Sequence, residues 1–341
     1  GYGAVSGLTR ERVGQPVALQ RTPQESDTAR ARVAQLLRSP LSADAAVELA
    51  LLNNRGLQAR LGELGIAEAD LVRAGRLRNP SLSFGRLSGG GVVEIDRAVL
   101  FDVLGLLTLP VAREVGQRRF EQAQFQAAAD AVGVANDTRR AYFAAVASRE
   151  LASYAGQVQE AADASSELAR RMLEAGSFNK LAQLREQAFY ADATAQLARA
   201  RHQAAADRER LVRLLGLGDD QAALQLPDRL PQLPAAPVAP RNAEQLAMDQ
   251  RLDVQLARRS TEATARALGL TRATRFVNVL EAGWQNRTGT GAPGASGYAI
   301  ELELPLFDFG TTRAARAETT YLQAVNRTAE VATNARSEVR E

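Results

Sequence analysis

Four carboxylates are the groups in this chain best placed to act on charge. Glu94 and Asp96 fall in VVEIDRAVLFDV, where Val93, Ile95 and Val99 alternate with Glu94, Asp96 and Ala98. Glu301 and Glu303 fall in YAIELELPLFDFG, where Tyr298, Ile300, Leu302, Leu304 and Leu306 alternate with Ala299, Glu301, Glu303 and Pro305. A period of two belongs to a strand with one apolar and one polar face. The polar faces therefore carry the carboxylates, and carboxylates repeated around a wetted wall favour cations without moving a proton. Their other placement is at an outer rim, or in ion pairs with Arg86 or Arg97.

Other chemistries find no residues. The sequence has no cysteine, so thiol chemistry, disulfides and cysteine-ligated metal are excluded. His202 is the only histidine and stands in a helical stretch without a partner histidine, so a seam position is expected for it, not a ligand or base. GTGAPGASG lacks the Gly-Lys-Ser/Thr ending of a phosphate loop and precedes a strand. No nucleophile–base set can be assembled. Neither a catalytic residue nor a cofactor nor a metal site is expected.

Composition narrows the class. With 42 basic and 39 acidic residues interspersed, the net charge is +3, which points to no nucleic-acid partner. Aromatic residues are 5% of the chain and alanine is abundant, which suits long helices packed through small side chains. No run of 18 apolar residues marks a membrane-crossing helix, but strands that cross a bilayer give a far weaker signal.

The elements that position the carboxylates come in two copies. Residues 1–40 read as an extended arm with a short helix around SDTARARVAQLLRS. A first unit, 41–226, holds a helix opening at Ser42 as N-cap and continuing to Arg78, then strands at about 79–87 and 92–103 around SGGG. A long helix over about 110–175 and a return helix over about 179–215 complete it. At 1.5 Å per residue that long helix runs about 95 Å. Ala127, Ala131, Val134, Thr138, Ala141, Ala145, Ser148, Ala152 and Ala155 form a heptad stripe on it. Leu181, Leu184, Ala188, Ala191, Ala195, Ala198, His202 and Ala205 do the same on the return helix, predicting an antiparallel coiled-coil hairpin.

A Pro-rich connector, 227–241, leads to a second unit, 242–341, with strands at about 275–286 and 298–307 around the loop NRTGTGAPGASG. Pro110 matches Pro305 at an offset of 195 (305 − 110), and Gly116 matches Gly310 at 194 (310 − 116). These four residues are expected at the strand-to-helix joints, Pro ending the ladder and Gly allowing the bend. Matched to the first unit, the second lacks roughly 70 residues, the rest of its long helix and the return helix, an expected C-terminal truncation. Gly176, Phe178 and Lys180, the only lysine, mark the hairpin tip, as a partner contact or as an ordinary capped turn. Trp284 and Tyr298 flank the second loop and suit an interfacial aromatic girdle.

The duplicated architecture, NPSLSFG at the first strand, LPLFDFG followed by an Arg/Ala helix at the fourth, and EAGSFNKLAQLREQ at the tip resemble the TolC-like outer-membrane efflux channel family over about residues 40–341. The resemblance implies a mainly α fold with a small transmembrane β part. Four strands per chain would contribute to a 12-stranded barrel in a homotrimer. It also implies an outer-membrane location with a helical tunnel through the periplasm, contact with outer-membrane lipid, and docking to a periplasmic adaptor protein and an inner-membrane pump. The family's gate lies on the second helix hairpin, beyond Glu341, so no gate residue is carried over. A soluble periplasmic coiled-coil adaptor without a pore is the competing expectation. It would need no apolar alternation in the strands.

Overall fold

The computed structural model describes residues 1–218, 224–232, 242–277, 279–303, 305, 307 and 309–340. The chain divides into two compact units, one of Gly1, 63–127 and 239–341, the other of 2–62 and 128–238. Residues 233–241 of the expected connector, and Leu304 and Leu306, lie outside the described residues.

The second of these units holds helices α1 (Tyr2–Val13), α2 (Pro23–Leu36) and α3 (Ala43–Asn53) and the start of α4 (Arg55–Ala74), the rest of which belongs to the other unit. The first thirteen residues were expected to be extended and are helical instead. Three glycines lower the local propensity of that segment, yet Val5, Thr9 and Val13 recur every four residues and are all buried. A buried stripe outweighs propensity there. Thr22 and Glu25 form a reciprocal capping box on α2, and the Ser42 hydroxyl accepts from Ala45 N–H at 3.2 Å to cap α3. The expected continuous helix from Ser42 to Arg78 breaks at Asn54, whose Oδ1 accepts from Leu57 N–H at 2.9 Å and so starts α4.

Helix α5 spans Val103–Glu174 and α6 spans Lys180–Leu215. The α5 stripe is buried at Ala127, Ala131, Thr138, Ala141, Ala145 and Ser148 and half-buried at Val134, Ala152 and Ala155. The α6 stripe is not. Leu181 and Leu184 are 61% and 47% exposed and His202 is exposed, while Ala193, Leu197, Leu211 and Leu215 are buried. Two alanine-rich stripes run along α6 about two residues out of phase, and Leu197, Leu211 and Leu215 decide which one turns inward. The core of this unit joins Leu41, Leu49, Tyr142, Val146, Leu211 and Leu215, with the Tyr142 hydroxyl donating to Leu41 C=O at 2.9 Å.

The other unit carries the sheet. Strands β1 (Ser81–Gly89) and β2 (Val92–Asp102) form one hairpin. After α7 (Ala243–Gln250) and α8 (Leu252–Ala273), β3 (Leu280–Gly289) and β4 (Ala292–Leu302) form the second, and α9 (Thr311–Arg340) follows. The sheet is antiparallel in the order β1-β2-β3-β4, so β2–β3 pairing joins the two copies and β1 and β4 are its edges. The first turn is Gly90–Gly91, both at positive φ (59° and 83°) as a two-residue hairpin turn demands.

The second turn is equally tight, at Thr290–Gly291, instead of the long loop expected over 286–297. Pro293 and the small Ala, Gly and Ser residues of 292–297 leave the pleat unmarked in the sequence, while the segment still belongs to β4. Helix α8 packs on α9 through small polar residues, with Thr261 and Thr328 hydroxyls 2.9 Å apart and Thr328 donating to Ala257 C=O at 3.1 Å.

Candidate functional site

The sheet register sorts every strand residue onto one of two faces, because residues paired across strands point the same way. Glu94, Asp96, Asp102, Glu281, Gln285, Arg287 and Glu301 share one face. Leu82, Phe84, Ile95, Val99, Phe101, Trp284, Tyr298 and Ile300 share the other. Glu94, Asp96 and Glu301 therefore do lie together on the polar face, and Glu303 continues it two residues beyond Glu301, its N–H donating to Val279 C=O at 3.2 Å.

Sequence reasoning missed two members. Asp102 is paired with Glu281 and Glu281 with Glu301, so three carboxylates from three strands stand in one row at the helix end of the sheet. The Ser81 hydroxyl donates to Glu281 at 3.3 Å. Asp102 shares the parity of Glu94 and Asp96 and was findable; Glu281 needed the inter-strand register. Nearer the turns, Asp96 is matched by Arg287, whose Nε donates to it at 2.6 Å. Neither Arg86 nor Arg97 takes that role, since both belong to the opposite face, where Arg97 donates to Asn286 at 3.2 Å.

Trp284 and Tyr298 are directly opposed and half-exposed or more (50% and 85%). They sit midway along their strands, not beside the turn. Their row, with Leu82 and Val99, borders a row of Phe84, Arg97, Asn286 and Ser296 toward the turns, where polar side chains first enter this face. Toward the helices the face stays apolar, and Leu106, Leu107, Phe276, Phe307 and Phe309, which lie outside the strands near that end, are exposed.

The strand-to-helix joints differ between the copies. In the first, strand becomes helix at Asp102–Val103, where the Asp102 carboxylate accepts from Gly105 N–H at 2.7 Å as an N-cap. Pro110 is thus inside α5, exposed, and not at the joint. Gly116 is not at the joint either. A Cβ there would stand 2.9 Å from the Ala74 Cβ, so this glycine serves close packing of α5 on α4. In the second copy Pro305 lies between β4 and α9, and Gly310 (φ 70°) opens α9, its carbonyl accepting from Ala314 N–H at 2.9 Å.

At the hairpin tip, Gly176 (φ 74°) closes α5 in a Schellman arrangement. Its N–H donates to Leu173 C=O at 3.0 Å, and Ser177 N–H donates to Met172 C=O at 2.9 Å. Asn179 caps α6, Phe178 is half-buried instead of exposed, and Lys180 donates to Gln183 at 3.0 Å. Arg170 and Arg171 donate to Glu167 at 2.8 Å one turn earlier and hold its carboxyl at about 2, well below the usual range. The folded value is depressed, so this local stabilisation is complete above the ordinary carboxylate range and fades as pH falls toward 2. The group is exposed, so the effect is small. Hydrogen exchange over the last turns of α5 is expected to quicken across that acid window in the parent chain, over and above the change seen in Glu167→Gln; identical profiles would refute the pairing.

No protein-family model matches the chain, and no curated protein does. Solved structures do. The outer-membrane channel OprN is 20% identical, with 98% of this chain and 77% of that chain covered at a TM-score of 0.66. The outer membrane protein VceC of Vibrio cholerae is 17% identical, with 86% and 75% covered at 0.63. The open state of the MtrE outer membrane channel of Neisseria gonorrhoeae is 17% identical, with 86% and 69% covered at 0.61. This chain has their fold, that of the TolC-like outer-membrane channels: long helical hairpins and a small antiparallel sheet.

Proposed function

We propose that the chain is the outer-membrane channel of a tripartite efflux or export system, a passive duct from periplasm to exterior and not an enzyme. The observation that carries this reading is the four-stranded sheet with one apolar face, one polar face and two open edges. Unpaired strand edges cannot persist in lipid, and four strands are too few to enclose a lumen. Three chains supply twelve strands (3 × 4) and pair β1 of one with β4 of the next. The apolar face then meets outer-membrane lipid, with Trp284 and Tyr298 as the girdle at its outer border. The polar face lines the lumen.

The exposed apolar stripe of the α5–α6 hairpin, including Leu151, Leu181, Leu184 and Phe189, supports side-by-side packing of the same three chains into a periplasmic tube. A periplasmic adaptor and an inner-membrane pump would dock there, with Gly176, Phe178 and Lys180 at the visible tip as the adaptor contact. A soluble adaptor would have no use for the exposed apolar face of the sheet.

The row Asp102, Glu281 and Glu301 gives three carboxylates per chain and nine in a trimer (3 × 3). Single-channel recording in a planar bilayer is expected to show stable conductance with a preference for cations. Glu281→Gln with Glu301→Gln should lower the cation-to-anion permeability ratio severalfold. Unchanged selectivity would remove the acidic lumen from the proposal. Failure to insert, with a protein that needs no detergent, would overturn the channel.

A further inference from the structure

The helices beside the sheet border an open cleft of about 1210 Å³ that the channel reading leaves without a role. Its walls are the C-terminal end of α4 with the residues after it, the first part of α5, and α8. Leu71, Val115 and Leu270 are among its apolar lining. Arg73, Arg76, Arg78 and Arg119 stand around it, against the carboxylates of Asp70 and Asp102, the second of which is engaged by Gly105 N–H.

Several arginines on these helices have partners, Arg118 with Glu121, Arg259 with Glu121, Arg266 with Glu114 and Arg272 with Glu318, while Arg113 and Arg258 outside the cleft are exposed to solvent without one among the described residues. None of the four cleft guanidiniums makes an ion pair or hydrogen bond among the described residues. Arg118 and Arg119 are neighbours in sequence, and only the one turned away from the cleft is paired.

The direction of the cleft selects its ligand. Gly105, Thr108, Ala112, Gly116 and Arg119 line it from α5, whereas the exposed Leu106, Leu107 and Val111 lie on the opposite side of that helix. Asp102, also in the lining, belongs to the sheet's polar face. The cleft therefore opens on the side of that polar face and not on the side of the apolar one. Its occupant arrives from water.

We infer that this cleft binds a water-borne amphiphilic anion, a compound with a sulfonate, carboxylate or phosphate group on an apolar or aromatic body. The arginines take the anionic group by paired N–H donation, and the apolar floor takes the body. The inference deepens the channel reading by naming a class of cargo, but the binding itself stands on the cleft alone. It can therefore be tested without a membrane, so its failure and that of the channel are read separately.

The test is calorimetric titration of the full chain in a neutral detergent with naphthalene-2-sulfonate, and with 2-naphthol as the uncharged counterpart. One sulfonate per chain is expected to bind at least tenfold more tightly than the naphthol. Arg73→Gln with Arg119→Gln should remove that preference, and Arg73→Lys with Arg119→Lys, which keeps the charge but not the paired donors, should keep only part of it. If the glutamine variant does not fold, raising the salt concentration on the unaltered chain gives the same reading, weakening the sulfonate and sparing the naphthol. Equal affinity for the two probes, or sulfonate binding indifferent to both charge removal and salt, would overturn the inference. So would sulfonate that fails to bind until dioleoylphosphatidylglycerol is stripped away, because the site would then belong to lipid.

Discussion

Gly216→Ala is expected to destabilise the α3–α6 unit severalfold more than Gly176→Ala does, although both replace a glycine of nearly the same positive φ. Gly216 (φ 66°) follows α6 and Gly176 (φ 74°) follows α5. Either substitution forces an L side chain into the left-handed region, at a cost of about 1–2 kcal/mol. They differ in what surrounds the new methyl. Nothing lies within contact of it at Gly176, whereas at Gly216 it would stand 2.5 Å from the Asn53 carbonyl oxygen.

Backbone cannot yield there cheaply, because the same chain segment closes α6. Asn53 Nδ2 donates to the carbonyls of Leu215 at 3.0 Å and Gly216 at 2.8 Å, and Asn54 Nδ2 donates to Leu214 at 2.8 Å. These bonds satisfy the last orphan carbonyls of the helix. Leu215 and Leu211 beside them are fully buried in the core with Leu49. The collision adds about 1–3 kcal/mol of overpacking, against a typical domain stability of about 5–15 kcal/mol. Hydrogen exchange of α3 and α6 reads the loss locally, without assuming that the two units unfold together. Equal protection in the two variants would show that the Asn53 contact costs nothing.

The sheet and the long helices were legible because their periodicities are strong. Val93, Ile95 and Val99, and again Tyr298, Ile300 and Leu302, alternate cleanly. What stayed hidden was set by pairs of segments far apart in the chain. The carboxylate row needs Glu281 to meet both Asp102 and Glu301, and no single strand records that meeting. The inward face of α6 could not be told from its neighbour by alanines alone, since burial of Leu197 against α5 breaks the tie. Pro110 drew the start of α5 seven residues too late. A proline inside a helix costs one hydrogen bond, and an exposed position flanked by a capped start at Asp102 tolerates it. The short α1 escaped because glycines masked a stripe visible only when Val5, Thr9 and Val13 are seen to be covered.

Gly283→Val is expected to abolish assembly of the sheet, whereas Gly297→Ala on the same polar face should leave it intact. Gly283 stands in β3 opposite Leu100 of β2. A Cβ there would run into the Val99 carbonyl oxygen and come within 2.7 Å of the Leu100 Cα, whereas at Gly297 it would meet nothing. The affected pairing is the one that matters most. Each hairpin closes on its own turn, and of the three strand pairings only β2–β3 joins the first copy of the repeat to the second.

An isolated hairpin is marginal in water, and in a bilayer each backbone group left unpaired costs several kcal/mol. Loss of the central ladder would therefore strand two hairpins with four open edges in place of two. The valine variant should fail to form a heat-modifiable, detergent-resistant oligomer, the alanine control at 297 should form it as well as the parent, and Gly283→Ala should fall between them. An assembled, conducting Gly283→Val protein would mean that β2 and β3 do not meet at Leu100 and Gly283. The row of Asp102, Glu281 and Glu301 depends on the same register, and it would have to be abandoned with it.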